Sequence, residues 1–569
     1  MLRLFQQLCL LLMAGLLSGV ACKQEPAPAA AATQTDTAVT ADAPVATATA
    51  DSTAAADASA GPCTMADRAC QLLRATAVLA ADKPSVARFI AHLHGPYSKD
   101  ACDGHGLIGG KPDVPCLASL RHGLCGSGLD VAFLTDHPTH MKDFVFPMLL
   151  YNDVTDTLLK DGLGKPYANV LHCPTADGVA AHDVTLLVGY EGEHTMPIGL
   201  HDHLSAKELY KVVLDNSTPF SEAEKVVKEV HARGGLVALV HAEQKAVSPE
   251  RVRDLGVDVM EIYNIHANFI LSYLIDMTRL FEFDPFMRPL AEAAHPDLAI
   301  LPALTHMPDE GLNQWHQVLR LKRIAGLLGS DAHENVEIPQ LCGGEGYPLQ
   351  LECDKRAKSA PAAVAAFAKG GQITLADGKR FDNYRRLLRW YSSRAILQAS
   401  DTKALHDRVQ TAVAKGNSYH VWNVLGEPDA VQLMAVGVDE MGEVVVATQG
   451  AALPVKVVKA GRMLVFRLPT AIAEPWSPFT TADAKDAARE VKLWHIAPSG
   501  ATVLATWNGK DHKGLEVEGD IAWLMDPPAG RYHLEVRVKP TYLAPALKLA
   551  AALAEQSYRW VLSGVVEVP

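Results

Sequence analysis

Three short stretches of this chain close an apolar run with two side chains of metal-ligand chemistry: Ala91-His92-Leu93-His94, Leu134-Thr135-Asp136-His137 and Gly329-Ser330-Asp331-Ala332-His333. In a β-strand, residues i and i+2 project to the same face, roughly 7 Å apart along the chain. His92 with His94, and Asp331 with His333, therefore aim four side chains into one space. A chain with several such strand ends is constrained to a fold that gathers them. A parallel sheet does this, because its strands all finish on one edge.

The remaining pattern meets that demand. Apolar runs at Val86–Leu93, Leu129–Leu134, Val184–Val188, Leu236–Val240, Val257–Ile262, Leu298–Leu301 and Ile324–Leu328 alternate with longer segments of helical spacing. In Ser221–Ala232, for example, Ala223, Val226, Val227 and Val230 share one face before Gly234-Gly235 ends the helix. Such alternation predicts an α/β barrel with its site at the carboxyl ends of the strands. Beyond a helix at Asp401–Lys415, turn signals such as Asn508-Gly-Lys and Pro527-Pro-Ala-Gly-Arg separate short strands. The strands expected there are Val444–Ala447, Val455–Val458, Met463–Leu468, Val491–His495 and Tyr532–Val538, in an antiparallel β-sandwich-like domain. The expected division is a metal-binding barrel over 62–398, a connecting helix over 399–422 and a C-terminal β domain over 423–569. At 569 residues the chain is too long for one domain, and its net charge of −13 argues against a nucleic-acid partner.

The N-terminus reads as an export signal. Arg3, the apolar Leu8–Leu17 and the small residues Ser18-Gly19-Val20-Ala21 precede Cys22, an arrangement that resembles a bacterial lipoprotein signal. This gives a signal peptide over 1–21 and a lipidated Cys22. Lys23 points by the same resemblance to the outer membrane, facing the periplasm or the surface. Residues 22–61 are nearly all Ala, Thr, Pro, Asp and Ser, a disordered tether. In an exported chain, the cysteines after Cys22 read as disulfides. Cys63–Cys70 and Cys342–Cys353 are the local pairs, while Cys102, Cys116, Cys125 and Cys173 allow three connectivities. Leu543–Leu553 is a helical stretch too short to span a bilayer.

Taken in order, the strand ends are His92-Leu-His94, Thr135-Asp136-His137, Gly189-Tyr-Glu191, Val240-His241, Glu261-Ile-Tyr-Asn264 and Gly329-Ser-Asp331-Ala-His333. This set resembles the polymerase-and-histidinol-phosphatase (PHP) domain family over roughly residues 85–395. The resemblance implies a distorted (β/α)7 barrel holding two or three divalent cations at its carboxyl end. It implies His92, His94, Glu191 and Asp331 around one cation. Glu191 bridges to a second, shared with His241 and His194 (His201 as runner-up). His137, His333 and Asp100 (or Asp103) surround a third, and Glu193 is a stand-in for Glu191. Asp136 and His333 are the expected catalytic residues, Asp136 orienting a ligand or shuttling a proton.

Mixed imidazole and carboxylate donors suit Zn, Mn or Fe better than Mg or Ca. Closely spaced cations activate water and clamp both the attacking and the leaving oxygens of a phosphoryl group. No Gly-x-Ser-x-Gly elbow or phosphate-binding P-loop is present. The expected function is a metal-dependent phosphoesterase acting on small phosphorylated substrates. The alternatives are a non-catalytic metal-holding envelope protein, or a hydrolase of amide or ester bonds on the same centre. Loops 138–183 and 265–297 are the expected specificity elements. The basic group Lys379, Arg380, Arg385 and Arg386 reads as a solvated helix face.

Overall fold

The computed structural model describes residues 85–242, 247–267, 295–305, 309–335, 377–398, 401–439, 444–454 and 461–569, with a few further positions before and between them. The signal peptide, Cys22, the tether, Cys63, Cys342, Cys353 and most of loop 265–297 lie outside the described residues, and the expected strand Val455–Val458 does so in large part.

Strand β1 (Ser85–Leu93) is buried from Phe89 onward whichever way its side chains point, as a central parallel strand must be. Around it, in chain order, lie β2 (Val131–Leu134), β3 (Pro166–Cys173), β4 (His182–Val188), β5 (Met196–Ile198), β6 (Leu236–Leu239), β7 (Val259–Asn264) and β8 (Ala325–Ala332). The spatial order β6-β7-β8-β1-β2-β4 is parallel throughout. Antiparallel β5 extends it beyond β6 and antiparallel β3 beyond β4. All the parallel strands therefore release their chain at one edge, and that edge carries the site.

The sheet does not close into the continuous barrel expected from sequence. No continuous ladder joins β4 to β5: isolated contacts link them, with Leu200 N donating to Val188 O at 2.7 Å and Tyr190 N to Pro197 O at 3.1 Å. On the edge of β1 away from β2, β8 pairs only from Ala91 onward, so the first half of the nine-residue β1 would offer an unpaired edge there. That edge is taken by antiparallel β9 (Ser392–Leu397), paired from Ser85↔Leu397 to Phe89↔Ser393; β8 joins only at Ala91. The sheet forks there. Through β9 and β10 (Ser418–Val421) it runs on into the C-terminal strands Tyr558–Ser563, Gly530–Lys539, Ala488–Ala497 and Gly500–Trp507, sixteen strands among the described residues. A second, five-stranded antiparallel sheet includes Leu433–Val438, Met463–Arg467 and Ile521–Met525. Leu433, Ala435, Leu464 and Phe466 from it share a buried cluster with Val491, Leu493, Leu534 and Val536. Two C-terminal sheets do pack, but one of them is continuous with the sheet that bears the site.

The helix read at Ser221–Ala232 forms as α2 (Phe220–Ala232), following α1 (Val114–Gly126) in the chain, and Gly234 turns out of it at φ +77°. Leu298–Leu301 is not a strand. Pro296 and Pro302 remove ladder donors on either side, and the segment coils into a 3₁₀ turn (Pro296–Ile300) and a short helix (Leu301–Leu304). Nor are the arginines near 380 a solvated face. Arg386, 1% exposed, pairs with Asp297 and Asp377, and Arg380 with Asp103 and Asp382. The open cysteine connectivity resolves as Cys102–Cys116 and Cys125–Cys173. The first ties the loop after β1 to α1, and the second ties the end of α1 to β3.

Candidate metal centre

The strand ends do not stop as regular strands. His92, His194, His241 and Asp331 hold φ of +57°, +56°, +53° and +51°, a region non-glycine residues seldom occupy. Backbone strain of this kind persists where the surrounding structure enforces it, and it gathers at functional sites. At His92 the register of β1 slips against both β2 and β8, as in a β-bulge. The slip draws the side chains of His92 and His94 together, with ring centroids 5.4 Å apart.

Two groups of ligand-grade atoms result. In the first, Nε2 of His92 lies 3.4 Å from both Glu191 Oε2 and Asp331 Oδ1; Nε2 of His94 lies 3.2 and 3.3 Å from the same two oxygens. The second comprises His94, Asp100, His137 and His333. There His137 Nε2 is 3.1 Å from Asp100 Oδ2, and His333 Nε2 is 3.5 Å from Asp100 Oδ1. His94 and His333 stack at 3.8 Å, and His94 belongs to both groups. Glu191 spans wider still: its Oε1 sits 2.6 Å from His241 Nε2 while its Oε2 serves His92, His94 and His137.

These residues fit divalent cations. The Nε2 atoms of His92, His94 and His333 are buried and make no hydrogen bond. A buried polar atom is rarely left so unless something else occupies its lone pair. Three such nitrogens and three carboxylates facing one space make a donor set for Zn, Mn or Fe.

The electrostatics follow from the crowding. Burial works to neutralise His92 and His94, but the neighbouring carboxylates outweigh it. They hold His92 well above the usual imidazole value and His94 at about 9. Burial opposes ionisation of Glu191 and Asp331, yet the imidazoles around them keep both well below the usual carboxylate range. His333 goes the other way: burial, helped by His94 beside it, pushes it down to about 3. It is a neutral imidazole, the form that can coordinate.

Supporting contacts orient this set. Glu261, 1% exposed, is one the sequence analysis did not single out as a site residue. Its Oε1 lies 2.6 Å from His92 Nδ1, and its Oε2 accepts from His241 N at 3.1 Å. Carboxylate-to-imidazole contacts of this kind fix which ring nitrogen faces the cation. The signal was available, because a carboxylate inside the buried run Val-Met-Glu-Ile-Tyr-Asn needs a partner. Asn264 Nδ2 donates to Asp331 Oδ2 at 3.1 Å. His266, also missed, places Nδ1 3.6 Å from Asp331 Oδ2 and forms a third candidate group with Asp331 and His333. It lies in the helical residues 265–267 that directly follow β7, where no periodic pattern marks it.

Other expected residues fall as follows. The carboxylate of Asp136 accepts from Gly95 N at 2.5 Å and from Tyr151 Oη at 2.6 Å, fixing the backbone that follows His94. His194 sets Nδ1 3.2 Å from Val240 O, against the backbone that carries His241, and is in none of the ligand groups above. Its runner-up His201 packs on Tyr167 at 4.5 Å. Asp103 is engaged by Arg380 at 2.6 and 2.9 Å, and Glu193 is exposed, so neither stands in these groups.

No protein-family model matches the chain, and no curated protein does. Among solved structures, the chain is similar to a two-domain protein containing a predicted PHP-like metal-dependent phosphoesterase from Bacteroides vulgatus, at 12% identity and a TM-score of 0.26. The match covers 81% of this chain and 92% of that one. So low a score carries no weight for the chemistry, which rests on the side chains above.

Proposed function

We propose that this chain is a metal-dependent phosphoesterase that hydrolyses small phosphate esters with two or three divalent cations, Zn, Mn or Fe, at the bacterial cell envelope. One observation carries the reading: two four-residue groups of imidazoles and carboxylates share His94, with three imidazole nitrogens buried and unmet. When bound, such cations lower the pKa of a water and neutralise charge on phosphoryl oxygens.

The chain's own residues supply the rest. His92, His94, Glu191 and Asp331 would hold one cation; Asp100, His137 and His333 would hold another; Glu191, with His241 and His194, would serve a further position. Glu261 keeps His92 turned inward. Asp136 and Tyr151 hold Gly95 in place, so His94 keeps its direction and Asp136 is a positioning residue. His333, kept neutral by burial, would coordinate without first losing a proton. Cys22 carries the lipid anchor, with the signal peptide removed and residues 22–61 as a tether.

The test uses full-length protein stripped of metal and reloaded with Zn, Mn or Fe. Turnover of an aryl phosphate is measured beside amide and carboxylic ester substrates. The reading expects phosphate hydrolysis that falls at least a thousandfold in Asp331→Ala. Metal uptake without turnover of any substrate overturns the enzyme, and turnover of amides or esters alone overturns the phosphoester assignment.

A further inference from the structure

A second cavity lies apart from the ligand groups, between α3 (Tyr384–Trp390), the segment after His295 and the C-terminal loop at Trp476. Its volume of about 280 Å³ is near the lower end for small-molecule sites. Trp390 lines both this cavity and the pocket holding His266, Asp331 and His333, so one indole divides them.

Arg389 is the unusual wall. It is 1% exposed, and its Nε donates to Gly126 O at 2.8 Å. Its guanidinium lies over the Trp476 indole, 4.7 Å from the ring centre. Nη2 is buried and makes no hydrogen bond, with Asp177 3.5 Å away and Asp297 3.7 Å from Nη1. A charged donor taken out of water with only these long ion pairs is costly, and it makes this wall of the cavity strongly polar.

The surrounding charges define the ligand class. Arg385 and Arg389 line the cavity with Asp177, Asp297 and Asp377, and Arg386 behind the wall pairs with Asp297 and Asp377, so three guanidiniums balance three carboxylates. An anion entering here meets carboxylates as closely as guanidiniums, and a cation meets the reverse, so neither recovers its lost hydration. A neutral molecule with several hydroxyl groups does better. Each hydroxyl donates to a carboxylate and accepts from a guanidinium N–H, while indole and proline surfaces cover its carbon faces.

We infer that this cavity is a binding site for a neutral polyhydroxylated ligand the size of a monosaccharide, held by Arg389, Arg385 and Asp177 against Trp476. Nothing in this depends on the reaction at the metal centre, and the two readings fail separately.

The test is saturation-transfer NMR on the full chain with glucose, galactose, mannose, N-acetylglucosamine and glycerol, each at millimolar concentration. Inorganic phosphate is run in parallel, and tryptophan fluorescence serves as a second readout. At least one sugar is expected to bind and to perturb the fluorescence. Ser477→Trp, which fills the cavity from the C-terminal loop, and Arg385→Gln should each weaken that binding at least tenfold. Thermal melting, metal content and aryl phosphate turnover report on the fold and the metal centre, and should be unchanged in Ser477→Trp. The inference is overturned if no polyol binds, if binding survives both variants, or if phosphate displaces the sugar at equal concentration. If either variant fails to fold, Trp476→Ala replaces it, with at least tenfold weaker sugar binding by saturation-transfer NMR as the expected result and unchanged binding as the overturning one.

Discussion

Replacing Gly329 with alanine puts a methyl group where the Glu261 carboxylate sits. A Cβ at position 329 overlaps Glu261 Oε1, lies 2.6 Å from its Cδ and comes within 3.0 Å of His92 Nδ1. Gly329 is not among the residues with positive φ, so the backbone accepts alanine and the conflict is purely steric. The strand cannot yield easily, because β8 is buried along its whole length between β7 and β1. Glu261 must move instead. It then loses the 2.6 Å contact to His92 Nδ1 and the 3.1 Å bond from His241 N. Hydrogen bonds to a buried charged group are worth roughly 1.5–3 kcal/mol each. Loss of an outer partner of a metal-ligating histidine typically costs about 10–100-fold in metal affinity. Gly329→Ala is therefore expected to lower Zn or Mn affinity by that factor, read by competition with a chromogenic chelator. The stability of the metal-free protein should fall by about 2–4 kcal/mol in urea unfolding. Glu261→Ala and the double variant complete a cycle. Because the effect of Gly329→Ala passes through Glu261, the double variant should lose little more metal affinity than Glu261→Ala alone. Full metal affinity in Gly329→Ala, or strictly additive losses in the double variant, refutes this account of how His92 is oriented.

Three further outcomes can be measured directly. Burial, with the Arg394 charge acting the same way, pushes His420 down to about 3. The unfolded chain takes up that proton near 6.5, so stability held above that pH is lost as pH falls toward 3, about 2 kcal/mol of it by pH 5. Urea unfolding of metal-free protein at pH 7 and 5 should show a drop smaller by that amount in His420→Gln; an equal drop in both proteins counts against it. Reducing Cys102–Cys116, or replacing both residues with serine, frees the loop that carries Asp100 from α1. A disulfide across 14 residues should then cost about 3 kcal/mol in unfolding free energy and lower metal content, whereas unchanged metal stoichiometry would separate the loop from the site. Tyr151→Phe removes the donor to Asp136 Oδ2 at 2.6 Å. It should lower stability by about 1–3 kcal/mol, and an unchanged melting temperature would show that Asp136 needs no such partner.

Legibility in the sequence differed from residue to residue. The apolar runs at β1, β2, β4, β6, β7 and β8 sit within a few residues of their observed strands, because buried parallel strands must be apolar on both faces. Residues closing those runs, from His92 to His333, come together for the same reason. Leu298–Leu301 misled because four apolar residues fit a buried turn as well as a strand, and the flanking prolines decided between them. Glu261 sits inside a buried run, which marks a carboxylate in need of a partner without saying which imidazole it meets across the sheet, and His266 carries no local signal at all.

The sequence by itself determined the α/β alternation, the edge at which acids and imidazoles collect, and the kind of chemistry they permit. These follow from local periodicity and from side-chain type, which travel with the chain wherever it folds. Only the tertiary structure decided the rest. It left the sheet open at β4 and β5, and it forked β1 between β8 and β9. It joined Cys102 to Cys116 and Cys125 to Cys173, and it placed Glu261 behind His92. Each of these depends on which distant strand claims a free edge or a free partner, and that competition is settled only when the whole sheet packs.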